Sequence, residues 1–281
     1  MGPAPPRRSP DVLWSSDWNA PIEALGGTAP GYRDTHVNLL CRDINETESR
    51  FADASGKVIR RDERKKKRCY KLLDQIREAT DMMGFRSLRV INEDRVTPGQ
   101  GFGTHGHADM EILSYVVEGA IAHKDSTGSE EILRPHEWQR MTAGGGIRHS
   151  EYNPSKTEPL HFYQIWILPE KEDLAPGYEQ KMFAPDDRRG KLKLVASNDA
   201  RDGSLKINQD VFVFDSILNE GEAVSYDLTE KRYGFLQVVK GSLELNSETL
   251  RASDGAAISA EELLKIKALV DGTEFILFDL A

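Results

Sequence analysis

From Gly84 onward the chain breaks into strand-sized segments, each closed by a turn, and this texture limits the folds open to it. Leu88-Arg89-Val90-Ile91 is a strand candidate, and Thr97-Pro98-Gly99 turns the chain. Met110 to Val117 is rich in strand formers and stops at Glu118-Gly119. Ala120 to Lys124 runs into Asp125-Ser126-Thr127-Gly128, and Trp138 to Thr142 leads into Gly144-Gly145-Gly146. Leu160 to Leu168 is aromatic-rich and closed by Pro169. Short strands punctuated by Gly, Pro and Asp point to an all-β sandwich or barrel and away from a helical or βαβ fold.

A weak internal repeat refines that expectation. Val116-Val117-Glu118-Gly119-Ala120 is echoed by Val238-Val239-Lys240-Gly241-Ser242. Ile132-Leu133-Arg134 followed by Met141-Thr142-Ala143 is echoed by Thr249-Leu250-Arg251 followed by Ile258-Ser259-Ala260. Two copies of one β unit would produce such spacing. Near the end, Leu264, Ile266, Ala268 and Val270 alternate, Asp271-Gly272 turns and Phe275 to Phe278 returns, which reads as a hairpin.

The first 83 residues read differently. Pro3, Pro5, Pro6 and Pro10, then Gly26-Gly27 and Pro30-Gly31, suggest irregular chain over 1–60. From Arg61 to Met83 the apolar residues Cys69, Leu72, Leu73, Ile76, Ala79, Met82 and Met83 recur at helical spacing, and Gly84 is placed to end that helix. Lys65-Lys66-Lys67-Arg68 fits the solvated face of this helix; as a nuclear import signal it is the lesser reading.

Composition excludes several classes of function. A net charge of −9 argues against a direct nucleic-acid binder, which needs basic surface to displace counterions. The apolar runs fall well short of the ~18 residues of a membrane span. Cys41 and Cys69 are too few for a disulfide framework, and Met1 to Pro10 lacks the apolar core of a secretory signal. A cytoplasmic or nuclear location is the expectation.

Two short strings carry the chemistry. His105-Gly106-His107 and His149-Ser150-Glu151 each place two ligand-type side chains at i, i+2, so in a strand both project to one face. Three imidazoles and a carboxylate without cysteine suit a reactive divalent metal centre with open positions. Glu111 is an alternative carboxylate, in phase with His105 and His107 if the strand is regular; otherwise it is an acid orienting an imidazole. Asp109 reads as a turn acid. His36, His123, His136 and His161 read as ordinary surface or core histidines. Met110, Tyr115, Met141, Phe162 and Trp166 are candidate cavity walls, and Phe102 the best candidate for touching substrate. The last histidine of the chain is His161, so only the first of the two repeats can hold the proposed metal.

These residues resemble a cupin, and specifically the pirin family. Gly99, His105, His107, Glu111 and Gly119 match the first cupin motif with the last gap slightly long, and Gly146, His149 and Asn153 approximate the second. Gly101 to Leu113, Met141 to Asn153 and His161 to Ile167 resemble bacterial pirin-like quercetinases closely, and the similarity runs from about Gly84 to the C-terminus. The resemblance implies two cupin (jelly-roll) β-barrel domains, a metal-binding one over 84–180 and a degenerate one over 181–281. A divergent N-terminal segment, 1–83, precedes them.

The resemblance also implies the ligand set His105, His107, His149 and Glu151, with Fe(II) as the expected metal. It implies a dioxygenase that opens a flavonol ring with dioxygen and releases carbon monoxide, with Glu151 as ligand and general base. Other members of the family act as nuclear cofactors of transcription regulators, which makes a metal-binding interaction module with little turnover the second expectation. A different small-molecule cupin, such as an isomerase, is the third. Gly106 stands where the family usually has proline, and residues 1–83 do not resemble the family's front end.

Overall fold

The structure, a computed structural model, describes residues 84–229 and 231–281 and the backbone of two short paired strands, β1 (Arg50–Ala52) and β2 (Val58–Arg60). That strand pair lies in a stretch expected to be irregular. The helix expected over 61–83, the Lys65–Arg68 run, His36, Cys41 and Cys69 lie outside the described residues.

The first half holds β3 (Leu88–Val96), β4 (Gly101–His107), β5 (Glu111–Glu118), β6 (Ile121–Asp125), β7 (Glu130–Leu133) and β8 (Glu137–Thr142). Three further strands complete it: β9 (Ile147–Tyr152), β10 (Leu160–Ile167) and β11 (Gly177–Met182). They form a five-stranded sheet in the order β11-β8-β5-β10-β3 and a four-stranded sheet in the order β4-β9-β6-β7. A short helix, α1 (Pro185–Arg188), leads into the second half.

That half contains β12 (Lys193–Ser197), β13 (Leu205–Lys206), β14 (Val211–Leu218), β15 (Ala223–Asp227) and β16 (Tyr233–Lys240). It ends with β17 (Ser242–Leu245), β18 (Glu248–Arg251), β19 (Gly255–Ile258), β20 (Leu263–Ala268) and β21 (Thr273–Leu280). Its sheets run β13-β12-β14-β21-β16-β19 and β15-β20-β17-β18. The order β8-β5-β10-β3 is therefore repeated as β19-β16-β21-β14, and β4-β9-β6-β7 as β15-β20-β17-β18. The weak sequence repeat is a structural one: all-β, two cupin sandwiches in one chain. Gly119 and Gly241, which follow equivalent strands, share left-handed backbone (φ 78° and 75°).

The expected C-terminal hairpin is not formed. β20 pairs with β15 and β17, whereas β21 pairs with β14 and β16, so Asp271-Gly272 carries the chain from one sheet to the other. The reason lies in burial. β20 alternates exposed and buried residues as a strand with one wet face should, but β21 is buried throughout.

The five-stranded and six-stranded sheets pack face to face, and their contacting faces make one apolar cluster. Leu113, Tyr115, Trp138, Tyr163 and Ile165 come from the first half, and Val211, Val213, Phe235, Ile276 and Phe278 from the second. The opposite faces of the same strands line the two sandwich interiors. On β10, Leu160, Phe162, Gln164 and Trp166 look into the first sandwich, and Tyr163, Ile165 and Ile167 look across to the second. A strand buried on both sides reads as a near-continuous apolar run, and Leu160 to Leu168 does so apart from His161 and Gln164.

Polar groups are tied into this seam. The guanidinium of Arg188, fully buried, pairs with the carboxylates of Asp215 and Glu274, donates to Tyr115 Oη at 3.0 Å and to His136 Nδ1 at 2.8 Å. Trp138 Nε1 donates to Asp215 at 3.1 Å. Tyr115, expected as a cavity wall, is thereby placed in the seam: it shares the face of Leu113 and Val117, away from the sandwich interior, and its ring stacks on Trp138. On the same sheet His161 Nε2 lies 2.8 Å from Glu93. Burial alone would push the Glu93 carboxyl up, but hydrogen bonds from His161 and Ser253 and the charges of His161 and Arg95 outweigh it and hold it at about 2.

Arg188→Met leaves two buried carboxylates without their cation and should destabilise the protein by about 3–5 kcal/mol, read from urea unfolding at pH 7. Because the folded pKa of Glu93 lies below its ordinary value of 4.5, its contribution is complete above pH 4.5 and is lost as pH falls toward 2. Glu93→Gln should therefore cost up to about 3 kcal/mol at pH 7 and little at pH 2, flattening the acid limb of the stability curve.

Candidate metal centre

The centre is built where β4 and β9 pair. Their antiparallel register sets His105 opposite His149, with an irregularity between Phe102 and His105. Two glycines allow the geometry. A Cβ on Gly101 would lie 2.2 Å from the carbonyl oxygen of Glu151, so only glycine lets the strands approach so closely. Gly144, just before β9, has φ +49° and would place a Cβ 1.9 Å from the oxygen of Leu174. Gly106, where the family usually has proline, is a paired strand residue opposite Arg148.

His105, His107 and His149 converge, each offering a nitrogen within 4.8 Å of the others. His107 and His149 are buried. His105 Nδ1–H donates to the carbonyl of Gly103 at 2.8 Å, which leaves its Nε2 as a lone pair facing His149 Nε2 at 3.0 Å. Both ring nitrogens of His107 are buried without a hydrogen-bond partner. Burial, and then the neighbouring imidazoles, lower the pKa of His107 to about 3 and that of His149 well below the usual range. Neutral imidazoles with nitrogens converging on one point fit a divalent cation, and little else would satisfy them. These three residues form a divalent metal site.

Glu151 stands beside this triad. It is buried, its Oε2 accepts a hydrogen bond from Gln164 Nε2 at 2.6 Å, and its Oε1 has no hydrogen-bond partner. Burial raises its pKa to about 7, against the Gln164 hydrogen bond and with help from the charge of Asp94. Its carboxylate groups within 4.8 Å with His149 and with His123 of β6, not with His105 and His107. His123, expected as an ordinary surface or core histidine, is thus part of this cluster. Its signal was the spacing His123-x-Asp125, a third i, i+2 pair: in the β6–β9 register His123 lies opposite Glu151 and Asp125 opposite His149.

Glu111, the alternative carboxylate, belongs elsewhere. Asp109 adopts left-handed backbone (φ 49°) between β4 and β5, the two strands enter different sheets, and the presumed phase is lost. Glu111 shares the face of Leu113 and Tyr115, where it accepts hydrogen bonds from Asn208 Nδ2 at 3.1 Å and Thr142 Oγ1 at 3.2 Å. It ties the first half to the second. Asp109 is a turn acid as expected, accepting from the backbone N–H of Asp173 at 2.7 Å.

Around the triad, Met110, Ile112, Met141, Ile147 and Trp166 form an apolar cluster. The Trp166 ring packs edge-on to His107 at 5.1 Å, and its Nε1 donates to Gln164 Oε1 at 3.1 Å. Phe102, half-buried, meets Phe162 edge-on at 6.3 Å. Four of the five expected cavity walls are thus on the sandwich-interior face, and Tyr115 is the exception.

The equivalent positions of the second sandwich carry no ligands. On β15 and β20, which repeat β4 and β9, the inward residues are Val224, Tyr226, Leu264 and Ile266. Among the described residues, no helix is long and apolar enough to cross a membrane.

Comparisons with known proteins agree with this geometry. Residues 53–167 match the Pirin family model, and residues 194–280 match the Quercetinase C-terminal cupin domain. The first match begins about thirty residues before Gly84, so the family likeness extends into the segment expected to be divergent. The chain is 50% identical over 200 residues to the quercetin 2,3-dioxygenase of Escherichia coli strain K12, covering 71% of this chain and 85% of that protein. It is 40% identical over 200 residues to a pirin-like protein of Caulobacter vibrioides, with the same coverage. The crystal structure of the bacterial pirin YhhW from Escherichia coli in complex with nickel(II) superposes with a TM-score of 0.68 at 49% identity, covering 71% of this chain and 85% of that one. With the fold, the histidine triad and these relatives in agreement, the chain belongs to the pirin family.

Proposed function

We propose that the protein is a metal-dependent dioxygenase of the quercetinase type. It would open a flavonol with dioxygen, release one ring carbon as carbon monoxide and keep both dioxygen atoms in the organic product. The observation that carries this reading is the triad of neutral histidines, with His105 Nε2 and His149 Nε2 facing each other at 3.0 Å beside a buried carboxylate. The quercetin 2,3-dioxygenase name of the Escherichia coli relative supports the substrate class.

In this reading His105, His107, His149 and Glu151 hold the ion, and the half-exposed His105 side marks where substrate enters. Histidine and carboxylate ligands with open positions suit Fe(II). Nickel(II) in the related crystal structure is consistent with a site that accepts several divalent ions. The bound ion supplies Lewis acidity that makes a flavonol hydroxyl easier to deprotonate. The chain does the rest. Glu151 Oε1 is the atom placed to take the hydroxyl proton, and Gln164, steadied by Trp166, holds the other carboxylate oxygen. Phe102, Met110 and Trp166 offer a dry wall for a flat aromatic ring. The sites of the first sandwich, over 84–180, do the chemistry, and the second, over 181–281, braces it.

Metal-free protein given Fe(II) should consume oxygen and release carbon monoxide with quercetin. A folded protein that does neither with Fe(II), Ni(II), Mn(II) or Co(II) would overturn the assignment. His107→Ala and Glu151→Gln should each lower turnover by about 100-fold or more, as loss of a ligand or proton acceptor does. Glu111→Gln should keep metal affinity within about twofold while costing about 1–3 kcal/mol in urea unfolding, since it only weakens a buried hydrogen-bonded tie.

A further inference from the structure

Beside the histidine triad, His123 Nδ1, His149 Nδ1 and Glu151 Oε1 are buried without a hydrogen-bond partner. Ring nitrogens of His123 and His149 and a carboxylate oxygen of Glu151 fall within 4.8 Å of one another. His123 is fixed from the far side. Its Nε2 lies 3.0 Å from Asp125 Oδ2, and Asp125 Oδ1 is held in turn by Thr127 N at 2.8 Å, Thr127 Oγ1 at 2.6 Å and Ser129 N at 3.2 Å. The Tyr178 ring lies against it at 4.8 Å. Asp125 can only accept, so the proton of a neutral His123 sits on Nε2 and Nδ1 presents a lone pair.

The same reasoning applies to His149. Its Nε2 faces His105 and the metal position, so its proton sits on Nδ1. The three atoms therefore comprise one donor, His149 Nδ1–H, and two acceptors, His123 Nδ1 and Glu151 Oε1.

We infer that His123 is a positioning residue of the metal centre: anchored by Asp125 and lying 5.4 Å, ring to ring, from His149, it sets the orientation of the Glu151 carboxylate and the His149 ring. The β6–β9 register, with His123 opposite Glu151 and Asp125 opposite His149, builds the device into the sheet. The inference rests on the proposed ligand set and names the support that the set requires.

The test uses the full chain, freed of metal and titrated with Co(II), reading both affinity and the visible ligand-field bands. Wild type should bind one ion. His123→Ala should weaken Co(II) about 10- to 100-fold and shift the bands, the usual effect of losing a residue that orients ligands. His123→Asn, whose amide oxygen reaches the position of Nδ1, should recover most of the affinity. Asp125→Asn, whose oxygen keeps the bonds from Thr127 and Ser129 and whose NH2 then donates to His123 Nε2, reverses the His123 tautomer and should shift the bands in the same direction. The loss from His123→Ala should shrink when Glu151→Gln is already present.

Urea unfolding of the metal-free variants separates these effects from a change in stability. Unchanged affinity and bands in folded His123→Ala would overturn the inference. So would two Co(II) ions in wild type falling to one in His123→Ala, which would make His123 a ligand. If wild type takes up no Co(II), the metal reading itself fails and takes this one with it.

Discussion

The packing of two central sheets against each other is the constraint from which the rest follows. Each of those sheets is covered on both faces, so every strand in them must divide its residues between a seam and a sandwich interior. Parity along the strand makes the division. On β5, Leu113, Tyr115 and Val117 serve cohesion, while Ile112, Ser114 and Val116 look inward. On β10 the same alternation sends Tyr163 and Ile165 to the seam and presents Gln164 and Trp166 to the metal centre. One residue of slip would exchange the two roles.

Much of this was legible in sequence. The strand segments, the repeat and the i, i+2 ligand pairs are all local signals, and β-structure preserves local spacing. The triad formed because both pairs lie in real strands whose register happens to set His105 against His149. What was hidden depended on where a strand goes after a break. Glu111 looked in phase with the histidines, but one left-handed residue, Asp109, reset the count and moved the chain to another sheet. Tyr115 and the C-terminal hairpin misled for a related reason: an apolar strand says that it is buried, not which neighbour buries it. His123 was missed because a histidine and an aspartate at strand spacing look unremarkable until the opposing strand is known.

The two halves share a topology and divide the labour. The first keeps polar groups inside its sandwich, including Glu151, His123 and Gln164, at the desolvation cost such groups always carry. The second fills the equivalent positions with apolar packing: Leu264 and Ile266 are buried core, and Val224 and Tyr226 pack against it half-buried. The half without ligands covers the outer face of the half that has them. It also supplies Asn208 to hold Glu111, and Asp215 and Glu274 to share the charge of Arg188.

That shared charge bears on whether the chain can be divided. A fragment ending after Met182 would keep the whole histidine cluster yet uncover Trp138, Tyr115 and Tyr163 to water, stripping the indole and phenol of their acceptors. The complementary fragment would carry Arg188 and its acidic partners without the aromatic roof that excludes solvent from them. Reactivity is confined to one half, but neither half is a portable module. A gene duplication that silenced one copy chemically would still have left it indispensable as masonry.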